Sequence, residues 1–555
     1  MQPEPKIYSS LHIRVISAIS LITFSFLPLV SQAQTKDNTF DIVVYGGTSA
    51  GIIAAVQAKK MGKSVVVVEP SGHIGGLTTG GLGQTDIGNK QVIGGLSREF
   101  YNRVARKYQD PANWKWQKRE EYKSGGQSVT SEGEQSMWTF EPSIASEIFR
   151  DMIRENNIEV LLNERLNLGE KVTLNKGRIR SIKMESGKTF SAKMFIDATY
   201  EGDLMALAGV SYTVGRESND QYGETLNGVQ TALGKYHQFP DGVDPYIRRG
   251  EPDSGLLPNV NPDISRDGTG DSKIQAYCYR MCLTDTPENR IPFEKPEGYN
   301  ELEYELLFRA IEAGAKAPYF IPSDMPNRKT DWNNRGPFST DYIGRNYNYA
   351  EGDYATRDKI REDHKIYQLG LMWTLANHPR IPEAIRKEIG RWGLPKDEYQ
   401  KNSNWSPQLY VREVRRMVSD FVMTENHCKQ KLPVEKSVGM GAYTMDSHHV
   451  QRYVTKEGYV KNEGDVEVGG FGPYPIAYES IVPKKSECSN LLVPVCPSST
   501  HMAFGSIRME PVFMILGQSA ATAACLAIDS KVAIQDISYK KLQKELLKDK
   551  QVLAN

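Results

Sequence analysis

A stretch near the N-terminus constrains the chain more than any other. Asp41-Ile42-Val43-Val44-Tyr45 is a continuous apolar run, the pattern of a strand buried on both faces. It leads into Gly46-Gly47-Thr48-Ser49-Ala50-Gly51, a helical stretch over 52–61, and a second strand over 64–68 that ends at Glu69. A strand, glycine turn, helix and strand in this order form the setting of a dinucleotide fingerprint. Gly46 permits the tight turn, and Gly51 lets the helix pack close to the strand. The helix start offers N–H groups to a pyrophosphate. Glu69 is placed to accept hydrogen bonds from a ribose diol. Thr48 stands where the fingerprint's middle glycine is expected, so Gly47 takes over the close approach or the turn is wider.

The segment after Glu69 narrows the nucleotide. Pro70-Ser71-Gly72-His73-Ile74-Gly75-Gly76-Leu77-Thr78-Thr79-Gly80-Gly81 resembles the flavin-binding segment of glutathione-reductase-like and fumarate-reductase-like flavoproteins. Glycines there let backbone pass a pyrophosphate and an isoalloxazine without Cβ clashes. Short strands at 158–162, 172–174, 179–184 and 189–191, separated by Asn175-Lys176-Gly177 and Ser186-Gly187, predict a β-meander. It feeds a buried strand ending at Asp197-Ala198-Thr199, which returns beside the adenosine, and Asp203 is expected to cap the next helix.

At 555 residues the chain is too long for one simple core, so two or three domains are expected. Residues 38–215 read as the first part of the nucleotide domain, 216–435 as an inserted substrate or cap domain, and 436–555 as the return to the nucleotide domain. The insert is rich in Trp, Tyr, Asn, Asp, Arg and Pro, with helices expected over 360–377 and 380–392. Such a composition suits either a cavity for a hydroxylated substrate or a structural cap. The fold class is α/β: a Rossmann-like, glutathione-reductase-like domain with a β-meander, plus an inserted mixed α+β substrate or cap domain.

Residues 1–33 read as a Sec-type signal peptide. Lys6 and Arg14 precede an apolar run over 15–30, and Ser31-Gln32-Ala33 supplies the cleavage site. The mature protein is therefore expected in the periplasm or secreted, with no stable membrane anchor. Lys+Arg and Asp+Glu both number 68, so bulk charge draws the protein to no nucleic acid. Of the six cysteines, Cys278/Cys282 and Cys488/Cys496 are the nearest pairs for disulfides in an oxidising compartment, and Cys525 reads as a core residue. No cysteine spacing supports a metal or iron–sulfur site.

Towards the C-terminus, a strand candidate at 490–495 is followed by His501, Arg508-Met509-Glu510-Pro511, and a helix over 512–528 carrying Gly517-Gln518. Small residues and the positive helix end are expected to face the flavin pyrimidine. These motifs, with Asp197-Ala198-Thr199-Tyr200-Glu201-Gly202-Asp203 and Tyr410-Val411-Arg412-Glu413, resemble the exported bacterial FAD-dependent oxidoreductases. Some members of that family are labelled xanthan-lyase-like, and it is distantly related to the flavin domain of heterodisulfide reductase. The family differs in having glycine where this chain has Ala521. The resemblance implies FAD and a redox role.

The FAD site is expected to comprise Gly46, Gly47, Thr48, Ser49, Ala50, Gly51, Glu69, Gly75, Gly76, Leu77, Ala198, Thr199, Gly517 and Gln518. His501, on a loop before the flavin-facing helix, is the first choice of base; Arg508 and His448 are further catalytic candidates. Each also has a structural reading, as a hydrogen-bonded core histidine or an ion-pair partner. Arg412, Arg415 and Arg416 are expected on a helix, binding an acidic sugar or forming salt bridges. Adjacent His448 and His449 point in different directions, so no metal is expected there.

The function expected is hydride transfer between flavin and a small, possibly sugar-like, hydroxylated substrate, with oxygen or a separate electron acceptor. Two alternatives stand beside it: a glycan-processing lyase with redox-neutral FAD, and an iron–sulfur-linked electron-transfer flavoprotein.

Overall fold

The computed structural model describes residues 38–123, 135–316 and 320–554; residues 1–33, the expected signal peptide, lie outside the described residues. Strands β1 (Thr39–Tyr45) and β2 (Val65–Val68) pair in parallel, with Ile42 opposite Val65 and Tyr45 opposite Val68. All four valines of β2 are buried, as are Ile42, Val43 and Val44. Each such side chain contributes about 1.5–3 kcal/mol over leaving it in water. Helix α1 (Ser49–Lys60) crosses between them, capped by Thr48, whose hydroxyl accepts from Gly51 N.

The sheet has seven strands. Strands β3 (Glu159–Leu161), β4 (Thr173–Asn175), β5 (Arg178–Lys183), β6 (Thr189–Asp197) and β7 (Leu491–Leu492) complete it, in the order β3-β2-β1-β6-β5-β4. The end of β6 also pairs in parallel with β7, Phe195 opposite Leu491. The expected meander is therefore smaller than its sequence pattern. The segment at 158–162 forms β3, parallel to β2, while 189–191 and 193–197 form one continuous strand. Only β5 pairs antiparallel with β6, and β4 in turn with β5. A run of alternating residues in a 9-residue strand shows no internal break, because one end pairs with β5 and the other with β1 and β7.

Residues between the two halves of this sheet build a second apolar core, running from Phe239 to Val460. Its rings are spent on one another. Tyr342 stacks on Tyr367 at 3.9 Å, and Trp332, Trp392 and Trp405 are buried. The aromatic composition of 216–435 thus reflects core packing, not an open platform of rings. Helices α2 (Gly95–Lys107) and α3 (Pro142–Glu155) bury Phe100, Val104, Ile148 and Phe149 in the core of the sheet, whereas α4 (Tyr354–Asn377) lies in the second core. The hairpin of Gln451–Val454 and Val460–Glu463 pairs with Val260–Asn261, so chain beyond residue 435 still serves it. Thr39–Asn555 clusters as one compact unit.

The stretch 409–417 is not helical; it is irregular chain with a tight turn, Val411 N donating to Leu409 O, and a two-residue strand at Arg416–Met417. Arg412, Arg415 and Arg416 consequently diverge: Arg412 reaches Ala276 O, Arg415 reaches Asp203, and Arg416 reaches Glu217 and Ser499 O. Branched Val411 and Val414 disfavour a helix, Tyr410 bridges to Cys278, and Met417 N donates to Cys496 O. All six cysteines are free and buried, so neither disulfide pair forms. Asp203 is the first residue of a short helix, not its cap; Arg357 and Arg415 hold its carboxylate.

Candidate functional site

The nucleotide end is built where β1, β2 and β6 finish. Gly46 adopts φ +100, and a Cβ there would lie 2.7 Å from Thr199 N. A Cβ on Gly51 would overlap Gly46 O. Thr48 Oγ1 donates to Ala198 O at 2.7 Å, tying the turn to the end of β6. The N–H of Gly47 donates to Glu69 Oε2 at 2.6 Å, and Gly75 N donates to Gly47 O at 2.7 Å. Burial pushes the Glu69 carboxyl up to about 7, against hydrogen bonds from Ser71 and Gly47. A cleft lined by Gly46, Thr48, Glu69, Gly76, Thr199 and Arg361 opens beside this turn.

This arrangement fits the ADP half of FAD. The turn leaves no room for side chains at Gly46 or Gly51, the first turn of α1 presents N–H groups without helical acceptors, and a carboxylate ends β2. Leu77 N, at the start of the 3-10 turn Gly76–Thr79, donates to Tyr200 OH at 2.8 Å. A Cβ on Gly76 would overlap that phenol oxygen.

Helices α5 (His501–Ile507) and α6 (Glu510–Ser530) return the C-terminal segment to this point. Glu510, in the first turn of α6, accepts from Ser49 Oγ at 2.6 Å, Thr78 Oγ1 at 2.6 Å and Tyr200 OH at 2.7 Å. One buried carboxylate thus joins α1, the glycine segment, the end of β6 and α6. Negative charge suits a helix start, so α6 meets part of its own dipole with Glu510.

Gly517 and Gln518 are not where the sequence pattern suggests. Gly517 is the eighth residue of α6, and a Cβ on it would overlap Ala50 O, so its smallness serves close packing of α6 on α1. Gln518 accepts from Leu96 N at 2.8 Å and donates to Gln57 at 3.2 Å, away from the glycine segment. The Ala-rich pattern signals a close neighbour without saying whether that neighbour is a ligand or a helix. Among the described residues α6 alone is long and apolar enough to cross a membrane, and it is buried in the fold.

Beside the glycine segment sits a buried polar cluster. Tyr410 packs with Leu77, Leu82 and Cys278. Its hydroxyl accepts from Arg508 at 2.7 Å, and Arg412 lies over its ring at 4.4 Å. Arg508 also pairs with Asp446 at 3.1 Å, and Asp446 lies 3.7 Å from His448 Nε2. His448 Nδ1 meets Asp341 Oδ2 at 2.7 Å, and Arg412 meets Asp341 Oδ1 at 3.1 Å. Burial raises the Asp341 carboxyl, but Arg412 and His448 outweigh it and hold the group well below the usual carboxylate range. Arg412 Nε and Arg508 Nε are buried with no hydrogen-bond partner among the described residues.

His448 and Arg508 are therefore brought together, while His501 is set apart. It begins α5 instead of lying on a loop, and both ring nitrogens are engaged: Nδ1 with Glu413 at 2.7 Å and Nε2 with Ser447 at 3.0 Å. Its N–H donates to Glu217. Burial, with Arg416 and Arg216 nearby, pulls its pKa down to about 3. Asp341 is the partner that motif reading misses, because it lies 107 residues before His448 in a loop without periodic signal. Tyr200, inside a motif already singled out, carried a visible cue in its place three residues past the end of β6.

No curated protein matches the chain. Among solved structures, it is similar to a flavin-containing monooxygenase from Stenotrophomonas maltophilia (16% identity, TM-score 0.19, 33% of this chain and 43% of that one). It is similar also to the OxyS anhydrotetracycline hydroxylase from Streptomyces rimosus (10%, TM-score 0.23, 33% and 36%) and an L-amino acid deaminase from Proteus vulgaris (15%, TM-score 0.24, 32% and 52%). These likenesses span about a third of this chain and about half or less of each partner's length, at low TM-scores. The assignment rests instead on a family match over residues 41–546, which takes in the turn at Gly46, the cluster around His448 and the return helix at Glu510. By that match the chain belongs to the FAD dependent oxidoreductase family.

Proposed function

We propose that this FAD-dependent oxidoreductase is an exported enzyme that exchanges hydride between flavin and a small hydroxylated substrate, a sugar or related polyol. The observation that carries the proposal is the pair of buried guanidiniums, Arg412 and Arg508, each with an unpaired Nε beside His448 and the glycine segment. A buried charged donor left without an acceptor is costly, and a substrate oxygen would satisfy it.

When bound, FAD supplies the two-electron chemistry. The residues supply the proton handling. With Asp341 accepting from Nδ1–H, His448 keeps Nε2 as its lone-pair nitrogen, the atom to take a hydroxyl proton. Arg412 and Arg508 then hold negative charge developing on the substrate oxygen. Burial raises the Tyr410 phenol above its ordinary value, against Arg508 and Arg412, so it stays protonated. The residues between the two halves of the sheet serve as the cap over this cluster. Export rests on the residue 1–33 pattern, and a secreted form starting at Gln34 is its direct check.

The test is anaerobic mixing of the flavoprotein with sugars, polyols and hydroxy acids, followed at the flavin absorption band. Bleaching by a hydroxylated compound is expected, and His448→Gln should slow it by about 10²- to 10⁴-fold with flavin content unchanged. A purified protein without flavin bands would sink the proposal, as would a variant that bleaches at the parent rate. An unsaturated product formed while the flavin stays oxidised would favour the lyase alternative.

A further inference from the structure

Next to the His448 cluster, two imidazoles and a carboxylate converge from distant parts of the chain. His237 Nδ1 lies 3.2 Å from Asp465 Oδ2, and His449 Nε2 lies 3.8 Å from the same oxygen. The ligand atoms of all three residues fall within 4.8 Å of one another. For a four-coordinate ion with bonds of about 2.0–2.2 Å, tetrahedral angles put neighbouring ligand atoms about 3.4 Å apart. The observed separations bracket that value. We propose that His237, His449 and Asp465 bind one divalent transition-metal ion of the zinc class.

Two further observations support the site. Asp465 Oδ1 and His449 Nδ1 are buried atoms with no hydrogen-bond partner among the described residues, and both residues have a relative exposure of only 3%. His449 Nε2 also lies 3.3 Å from the His237 carbonyl oxygen, a contact that the ion would replace. Either tautomer of His449 leaves its Nδ1 unpaired, so that nitrogen does not discriminate. The bare Asp465 oxygen does, because a cation beside it supplies the charge the protein leaves out. His237 keeps 20% of its side-chain surface exposed, which gives an ion a way in.

The backbone holds the set in place. His237 sits in the left-handed region, φ 53, with its carbonyl accepting from Asn462 Nδ2 at 2.9 Å. Asp465 directly precedes the strand Val466–Val468, which pairs with Met445–Ser447, and His449 directly follows His448. Register places Glu467 opposite Asp446. The ion would thus sit one residue along from the proposed base, on chain that also carries Asp446. Three protein ligands leave a fourth position for water or a substrate oxygen, as in catalytic zinc sites. No short spacing announces the set, since its members run from 237 to 465. The competing arrangement is a metal-free ion pair between protonated His237 and Asp465.

The experiment uses the full flavoprotein, stripped with a chelator and dialysed. Titration with Zn²⁺ by calorimetry is expected to show one ion per chain. Co²⁺ should give the visible d–d bands of a tetrahedral site, to the red of the main flavin absorption. Asp465→Asn and His449→Gln should each weaken Zn²⁺ binding about 100-fold or more. Because Asp465 is buried, His237→Ala at the open side is the second variant: it should lose the ion while the flavin spectrum and the melting point of the stripped protein stay unchanged. A parent protein that takes up no Zn²⁺ overturns the site. So does undiminished binding by His237→Ala, or a lower melting point of stripped His237→Ala with no ion bound by the parent, which would identify the metal-free ion pair. None of these outcomes depends on the flavin reading.

Discussion

Glu510 shows how much one residue can be asked to hold. Its carboxylate satisfies three hydroxyls from three separate segments. Glu510→Ala would leave Ser49, Thr78 and Tyr200 donors facing a void, and each buried unpaired group costs about 1–3 kcal/mol. A large drop in melting temperature and loss of copurifying flavin are expected, whereas Glu510→Gln keeps one acceptor oxygen and the shape and should retain most of both. Equal behaviour of the two variants would show that the hub is not what holds these segments. At this scale the turn was readable in advance. Gly46, Gly47, Thr48 and Gly51 are local: the chemistry of a tight βα turn is written in consecutive residues. The pairing of Glu510 with Ser49 was not readable, because nothing in either neighbourhood refers to the other. His501 illustrates the opposite error, since a histidine close to a motif is as available to a buried ion-pair network as to a substrate.

Elements were legible where both faces are buried and ambiguous where tertiary pairing decides. The continuous apolar runs of β1 and β2 announce themselves, and so does α4. The segment 409–417 does not, because the four-residue spacing of Arg412 and Arg416 fits a helix face as well as an alternating strand, while the irregular backbone that tertiary contacts impose sends the two side chains to different partners. Gly517 belongs to the same class. Its contact with Ala50 makes it a packing glycine between α1 and α6. Gly517→Ala should force the helices apart, lowering stability by about 1–3 kcal/mol. Because α1 begins at the nucleotide turn, flavin should be lost more readily as well. A denaturant titration and the ratio of flavin to protein absorbance check both; an unchanged midpoint would mean that α6 slides without consequence.

For the whole molecule, buried ionisable groups set opposing pH dependences. Glu69 and Glu224 have pKa values pushed up by burial to about 7, from an ordinary 4.5. Their folded forms hold protons more tightly than the unfolded chain. The stability they contribute is full below about 4.5 and lost as pH rises through about 7. His501, lowered to about 3 from 6.5, acts in reverse: its contribution is full above 6.5 and lost as pH falls through 3. In the flavin-free protein, Glu69→Gln should therefore reduce the fall in urea midpoint between about pH 4.5 and 7. A parallel pH profile in parent and variant would mean that Glu69 ionises normally in the folded state. The second core was less readable than the sheet, since composition reports rings without saying whether they face solvent or each other.

The bond between Ser49 and Glu510 spans 461 residues of sequence, and β6 takes one partner, β1, from well before it and another, β7, from far after it. A ribosome making this protein completes the nucleotide turn long before the carboxylate that braces it. Contacts of such sequence separation form late and slowly. Until α5 and α6 emerge, β1 and its glycine turn wait as an open half-site, so a nucleotide site braced by Glu510 is expected only after that stretch of chain has been made.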